Sequence, residues 1–203
     1  MHKSAPLMFA LGCLVGSLNS LNAQTAAPAT TVPAPSVAPQ TRVSPHETIS
    51  ARIGGGNLVT ITYGRPYSKD PKTAAIRQIW GTLVPWDQAY RLGSDEATSL
   101  MTQVPLKFGD TTIPAGVYTL YLVPSEKGTT KLAFSTAVGK WGIKVDEAHD
   151  LARVDMKKDT IDKQIDQLTL TLGPDKTGGM LKVAWETTQY SVAFAVVAPA
   201  PAK

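Results

Sequence analysis

Residues 48–63, TISARIGGGNLVTITY, predict a β-hairpin with one buried face. Apolar and polar residues alternate on both sides of a glycine-rich turn, as in strands that expose one face to solvent. Residues 54–57, GGGN, can adopt the positive φ angles that a tight hairpin turn requires. The side chains expected on the buried face are Ile49, Ala51, Ile53, Val59, Ile61 and Tyr63.

The same alternation continues along the chain and predicts an all-β fold. We expect about nine to ten strands, drawn from the hairpin and from further alternating or apolar segments at residues 97–102, 106–108, 111–113, 117–123, 130–135, 153–157, 168–172, 181–186 and 190–196. The stretch VYTLYLV at 117–123 is apolar on both faces, so we place it at the centre of a sheet. Regularly spaced short strands favour an antiparallel β-sandwich of jelly-roll or immunoglobulin-like type, or a closed barrel, and we adopt the sandwich. Short helical insertions are expected at residues 73–79 and 159–166.

The first 23 residues have the layout of a cleavable export signal. Lys3 precedes an apolar run at residues 7–18, LMFALGCLVGSL, which is too short to span a bilayer permanently. Polar residues follow and end in a small side chain, so we expect cleavage after Ala23. Cys13 raises the alternative of a lipid-attachment site, but the apolar run continues beyond it. The predicted location of the mature protein is therefore the periplasm or the outside of the cell.

The remainder divides by composition into a linker, one domain and a tail. Residues 24–43 are rich in Pro, Ala and Thr and predict a disordered linker. This linker is either a spacer that holds the domain away from a surface or a disordered terminus that has no function. Residues 44–197 are expected to form a single β domain, and residues 198–203 a disordered tail.

Cysteine usage and charge exclude several functional classes. Signal cleavage removes Cys13, the one cysteine, so disulfides, cysteine metal sites and thiol catalysis are not expected. The charged residues of both signs are interspersed along the chain and sum to a net charge of +4. This distribution indicates solubility rather than nucleic-acid binding. We expect no cofactor, no metal site, and no transmembrane anchor after cleavage.

Residues 63–96 interrupt the strand pattern and carry the candidate ligand-binding groups. Loops held on a rigid β-sandwich commonly carry binding residues. This segment combines aromatic rings, which offer stacking faces, with arginine and carboxylate groups, which orient polar ligands. The candidate ligand-binding residues are Tyr63, Arg65, Trp86, Arg91, Asp95 and Glu96.

Arg91 and Glu96 lie five residues apart across a glycine-containing turn, and two interpretations remain open. They form either a clamp for a ligand carboxylate or sugar hydroxyls, or an internal ion pair that holds the loop. Asp95 is adjacent to Glu96, and adjacent side chains of an extended chain point to opposite sides, which argues against a shared acid–base pair. Trp86 is either an exposed stacking platform or a packing residue, whereas Trp185 alternates with apolar residues and is expected in the core.

The two histidines that follow the signal are interpreted as surface residues. His46 stands beside Glu47, a pair capable of metal binding or proton transfer, but the sequence shows no partner ligand. His149 lies in the acidic stretch 146–150, which lacks the EF-hand spacing and is expected to be a solvated loop.

Several motifs in a fixed order resemble the bacterial exported domain-of-unknown-function family 2911. They are SP at 44–45, YGRP at 63–66, WGTLVP at 80–85, RLGSDEAT at 91–98, PAGVYTL at 114–120 and WE at 185–186. The resemblance covers residues 44 to about 196, and it implies an exported β-rich domain without an established activity or catalytic residues. Tyr90 stands where the family usually has a tryptophan, and Ser94-Asp95 stands where Ala-Asn is usual.

These observations lead to three hypotheses about function. The first is a non-catalytic ligand-binding or cell-envelope-associated domain, whose ligand is a glycan or another envelope component. The second is a hydrolase acting on an envelope or extracellular substrate, which requires a histidine or a second carboxylate within reach of Glu96. The third is a structural partner in an envelope assembly, which would expose a flat apolar face.

Overall fold

The computed structural model describes residues 41–142 and 144–197 and contains eleven strands there. The predicted signal at 1–23, most of the predicted linker and the predicted tail lie outside the described residues. In chain order the strands are β1 (His46–Ile53), β2 (Asn57–Gly64), β3 (Tyr90–Arg91), β4 (Ser99–Thr102), β5 (Leu106–Phe108), β6 (Thr111–Ile113), β7 (Gly116–Val123), β8 (Lys131–Ser135), β9 (Asp150–Asp155), β10 (Lys157–Pro174) and β11 (Gly178–Val196).

Two antiparallel sheets result, as in a β-sandwich and not a single closed barrel. The larger sheet has the order β1-β2-β4-β7-β8-β9, and β3 pairs with the part of β7 that β4 leaves free. The smaller sheet has the order β10-β11-β5-β6. The predicted all-β sandwich class is therefore confirmed.

The predicted hairpin at 48–63 is formed by β1 and β2. Its register pairs Ile53 with Asn57 around a turn in which Gly54, Gly55 and Gly56 all have positive φ. Alternate side chains of β2 are fully enclosed, because every second residue of a strand faces the same side. The central position predicted for residues 117–123 is also confirmed, since β7 pairs with β4 and β3 on one side and β8 on the other.

The two predicted helices are wrong. Residues 159–166 lie within β10, where the register against β11 shifts between Thr160 and Ile165 and again after Ile165. These shifts create β-bulges, which insert extra residues and bend the strand. Residues 73–79 form turns, and Ala74 has a φ of 59°, which an α-helix does not accommodate. The helical structure among the described residues is a single 3-10 turn at Glu147–His149.

The bulged part of β10 holds the start of the central loop. The Ser68 N–H donates to the carbonyl of Asp166, and the Leu168 N–H donates to the carbonyl of Pro66. Residues 66–68 thus satisfy backbone groups of β10 that the irregular ladder to β11 leaves unpaired. The long β10–β11 hairpin consequently fixes where the central loop leaves β2.

Large aromatic residues fill the space between the sheets. Trp185 is fully buried, as its alternation with apolar residues predicted. Other fully buried side chains of the core come from both sheets, which shows that the two inner faces share one core; the largest of them are Tyr63, Tyr190 and Phe134. In the part of the chain that is described, no helix is long and apolar enough to cross a membrane.

Candidate functional site

Asp95 ties the start of the domain to the end of the central loop. Its carboxylate accepts the backbone N–H groups of Val43 and Ser44, each at 3.2 Å. The side chain is 3% exposed, and the residue has a φ of 63°, in the left-handed region that non-glycine residues rarely adopt. Such strained positions persist where the surroundings fix them, and here the two N–H groups do so. Residues 42–46 and 94–96 therefore form one packed unit, which we call the partition.

Glu96 also belongs to the partition and contacts two of its residues. Arg42 approaches its Oε1 atom at 2.6 Å, and the His46 Nε2 atom lies 3.1 Å from its Oε2 atom. The hydrogen bond from Arg42 holds the pKa of the Glu96 carboxyl below its usual range. Arg42 belongs to the segment that the sequence assigned to the linker. Glu96 thus pairs with Arg42 and His46, and the internal Arg91–Glu96 ion pair considered from the sequence is not formed.

His46 brings the two adjacent carboxylates together. Its Nε2 atom lies 3.3 Å from Oδ2 of Asp95 as well as 3.1 Å from Oε2 of Glu96. The expectation that Asp95 and Glu96 would serve opposite sides is therefore wrong, because the left-handed turn at Asp95 redirects its side chain. The interpretation of His46 as a surface histidine is also wrong, since its side chain is 14% exposed.

A cavity of about 330 Å³ opens beside His46, and we call it the histidine cavity. Residues 95–97 pair with residues 140–142 along one wall, through hydrogen bonds that join Ala97 to Lys140 and Gly142 to Asp95. The remaining lining carries hydroxyl groups, an aromatic ring and charged groups, from Arg42, His46, Thr62, Tyr63, Glu96, Ser99, Lys140 and Trp141.

A second cleft of about 420 Å³ lies on the other side of the partition, and we call it the arginine cleft. Arg77 and Arg91 are the charged residues that line it, together with Tyr67 and Tyr90. Burial raises the pKa of Tyr90 to about 12, and the two neighbouring arginines act in the opposite direction. The cleft thus combines positive charge with aromatic surface.

The two arginines of this cleft are only partly engaged by the protein. Within residues 41–142 and 144–197, the Arg91 side chain has no hydrogen bond or ion pair. Arg77 donates one hydrogen bond to the carbonyl of Tyr67, but its Nε atom is enclosed and has no partner in that part of the chain. The nearby Asp70 carboxylate accepts the N–H groups of Lys72 and Thr73 instead.

Tyr63 and Arg65 belong to a network that joins the two sheets. The Tyr63 hydroxyl donates to Oε2 of Glu47 at 2.7 Å and accepts the N–H of Leu170 at 2.9 Å. Arg65 approaches the same Glu47 oxygen at 3.2 Å and donates to the Thr169 hydroxyl at 2.9 Å. Hydrogen bonds and an ion pair thus join the polar groups of Tyr63 and Arg65 to Glu47, Thr169 and Leu170.

Trp86 lies in an aromatic stack away from both cavities. Its ring is stacked on Trp80 with centroids 6.2 Å apart, and Trp80 meets Tyr190 edge-on at 5.2 Å. The Lys158 ammonium lies 5.3 Å from the Trp86 ring, within the range of a cation–π contact. Trp86 therefore joins the central loop to the β10–β11 hairpin.

The six sequence candidates do not converge on one site. Asp95 and Glu96 meet at the partition, Arg91 lines the arginine cleft, and Trp86 stands apart. Several residues that line the cavities were not proposed as ligand-binding groups; they are Arg42, His46, Arg77, Tyr90, Lys140 and Trp141. The Glu47 neighbour of His46 was a weak signal, whereas Arg42 and Arg77 fell in segments predicted to be linker and helix.

Among the described residues, no group of three or more His, Cys, Asp and Glu side chains is arranged to hold a metal ion. His149 pairs with Asp146 at 3.0 Å on an exposed loop.

Residues 44–194 match the model of a family described as a protein of unknown function (DUF2911). The chain belongs to the DUF2911 family. The match spans β1 to nearly the end of β11, so it covers the partition and the lining of both cavities except Arg42 and Val43, which lie just before it. No curated protein and no solved structure matches the chain.

Proposed function

We propose that this protein is an exported binding domain that holds a carboxylate-bearing saccharide in the arginine cleft. The observation that carries the proposal is that Arg77 and Arg91 both line a cleft whose described lining contains no carboxylate. A guanidinium group without a protein partner is suited to a bidentate pair with a ligand carboxylate.

The size and surface of the cleft support a saccharide as the ligand. Its volume of about 420 Å³ falls in the usual range of small-molecule sites. Tyr67, which is 45% exposed, and Tyr90 offer ring faces against which a sugar can pack. The export signal predicted at residues 1–23 favours an acidic glycan of the cell envelope or of the surroundings as the source.

Binding of an acidic trisaccharide tests the proposal directly. We expect tri-galacturonate, but not the uncharged galactose trisaccharide, to raise the thermal midpoint of the protein, because a ligand that binds the native state stabilises it by mass action. Arg91→Ala should weaken the affinity for tri-galacturonate by about 10-fold or more, as expected for the loss of a charge-assisted hydrogen bond. Isothermal titration calorimetry provides the affinity.

Arg52→Ala is the matched control, because it removes the same charge from an exposed arginine that donates a hydrogen bond to the Gly56 carbonyl in the hairpin turn. This variant should bind tri-galacturonate as the wild type does. Equal affinities for the acidic and the neutral trisaccharide, or equal losses in Arg52→Ala and Arg91→Ala, would contradict a specific carboxylate site.

A further inference from the structure

The histidine cavity contains a histidine whose two ring nitrogens have different environments. Nε2 of His46 faces the carboxylates of Asp95 and Glu96 at 3.3 and 3.1 Å. A carboxylate accepts hydrogen bonds, so this arrangement places the proton of the neutral imidazole on Nε2. Nδ1 then carries the lone pair, and it has no hydrogen-bond partner in residues 41–142 and 144–197. His46 therefore has one nitrogen held by the protein and one available to a ligand.

The two carboxylates that orient His46 are themselves fixed. Asp95 is buried and is held by the N–H groups of Val43 and Ser44, while Glu96 is held by Arg42. These fixed carboxylates hold the imidazole ring in one orientation through Nε2. This is the relation between an orienting carboxylate and a histidine base in hydrolases, which is recognised by geometry rather than by sequence position.

We propose that the histidine cavity hydrolyses carboxylic esters, with His46 as the general base. In the first step Nδ1 of His46 takes a proton from a water molecule, and the water oxygen bonds to the ester carbonyl carbon. The tetrahedral intermediate then collapses by breaking the bond between that carbon and the alkoxy oxygen. The proton on Nδ1 passes to the departing alkoxide, so water and ester become a carboxylic acid and an alcohol.

The residues around His46 favour an ester over other hydrolysable groups. Hydrolysis of a glycoside requires two carboxylates free to act on the substrate. Here Asp95 is enclosed, and the Oε1 atom of Glu96 is occupied by Arg42. An ester needs only one base, because its alkoxide leaves more readily than an amine. Lys140 lines the same cavity, and its ammonium is paired with Asp146 at 3.1 Å.

The alcohol or acyl part of the ester would rest on the walls of the cavity. Trp141, which is half-buried, provides a flat apolar surface, and the hydroxyls of Thr62 and Ser99 provide polar contacts. A ring carried on an ester, such as an aryl group or a sugar, suits that combination. A volume of about 330 Å³ is at the lower end of small-molecule sites and limits the substrate to one or two rings.

Hydrolysis of 4-nitrophenyl acetate tests the proposal, with release of 4-nitrophenolate followed by absorbance. His46→Asn should lower the protein-dependent rate by roughly 10- to 100-fold, within the contribution of a positioned general base. His149→Asn is the matched control, because it removes a histidine that also has an aspartate partner but lies on an exposed loop. That variant should retain the wild-type rate.

Rescue by imidazole distinguishes a catalytic role of His46 from a purely structural one. Imidazole added to His46→Ala should restore a saturable part of the lost rate, whereas it should add only its ordinary solution rate to the His149→Asn protein. Near-ultraviolet circular dichroism checks that each variant keeps its tertiary packing. The proposal would be overturned if the wild type hydrolysed the ester no faster than His46→Asn, or if His46→Asn and His149→Asn lost equal activity. It would also be overturned if imidazole did not rescue a folded His46→Ala protein. The arginine cleft is lined by other residues, so its binding experiment is independent of this one.

Discussion

The Nε2 atom of His46 lies 3.3 Å from the Oδ2 atom of Asp95, although the two residues are 49 positions apart in the chain. The contact joins the first residue of β1 to the loop that precedes β4. Together with the bonds from Val43 and Ser44 to the same carboxylate, it forms the wall between the two cavities. The stability of that wall and the chemistry on its two sides therefore depend on one buried side chain.

Two substitutions of Asp95 distinguish how much its hydrogen bonds and its backbone conformation each contribute to stability. Asp95→Ala should lower the free energy of unfolding by about 2–4 kcal/mol, because the N–H groups of Val43 and Ser44 lose their acceptor and alanine disfavours a left-handed φ. Asp95→Asn should cost only about 1–2 kcal/mol, since asparagine tolerates that conformation and keeps one carbonyl oxygen. Urea unfolding followed by tryptophan fluorescence measures both values. Equal losses in the two variants would contradict this division.

Removal of the Tyr63 hydroxyl should destabilise the seam between the sheets. The Leu170 N–H donates to this hydroxyl in the core, so Tyr63→Phe leaves a buried donor without an acceptor. We expect a loss of about 1–3 kcal/mol in the free energy of unfolding. Tyr67→Phe removes the same group from a side chain that is 45% exposed and should change stability by less than about 0.5 kcal/mol. Chemical unfolding of the pair would show the difference, and similar values would refute it.

Arg91 and Arg65 should differ sharply in their effect on stability. Arg91 makes no hydrogen bond or ion pair within the described residues, so Arg91→Ala should cost less than about 1 kcal/mol. Arg65 contacts Glu47 and Thr169 across the seam, and Arg65→Ala should cost about 2–3 kcal/mol. Thermal unfolding without added ligand measures both. An Arg91→Ala protein that melts as low as Arg65→Ala would show that Arg91 serves the fold.

Acid should weaken the contact between Arg42 and Glu96. The pKa of Glu96 is lowered in the folded state, chiefly by the hydrogen bond from Arg42, below the value of 4.5 expected without it. A lowered folded pKa gives stabilisation that is present above the unfolded pKa and is lost as the pH falls through the folded pKa. We therefore expect the thermal midpoint to fall on acidification below about pH 4.5, and to fall less steeply in Glu96→Gln.

The matched control for this pH series is Glu126→Gln, which changes an exposed glutamate in the turn after β7. Its midpoint should follow the wild-type curve between pH 6 and pH 3. Parallel curves for all three proteins would mean that the Arg42–Glu96 contact makes no pH-dependent contribution.

Alternation of side chains was a reliable guide wherever a strand has one face in the core. It predicted the β1–β2 hairpin and the burial of Trp185, because burial on one face repeats with the two-residue period of a strand. The central position of β7 was predicted from its apolar residues on both faces instead. It failed at residues 159–166, where the register shifts of β10 break that period. The helix predicted at residues 73–79 is wrong for a different reason, since this segment is fixed by backbone bonds to residues before it, from the Ala74 N–H to Asp70 and from the Arg77 N–H to Ser68.

The sequence predicted individual residues of the candidate site, but not which of them lie together. The sequence indicated that Arg91, Asp95 and Glu96 lie in an important loop, and the structure places them on or beside the partition. Adjacent positions suggested opposite directions for the two carboxylates. That rule holds for an extended chain and does not apply to the left-handed conformation of Asp95. This conformation depends on contacts with residues about fifty positions away in the chain.

The sequence by itself determined the two-residue period of the strands, the glycine turn of the first hairpin and the residues available for chemistry. These are local properties, because side-chain direction and turn geometry depend on neighbours in the chain. The tertiary structure alone decided that Glu96 pairs with Arg42 instead of Arg91, that His46 stands between two carboxylates, and that the cavities on either side differ in charge. Those outcomes depend on where distant segments pack, since an ion pair or a cavity exists only once both of its sides are in place.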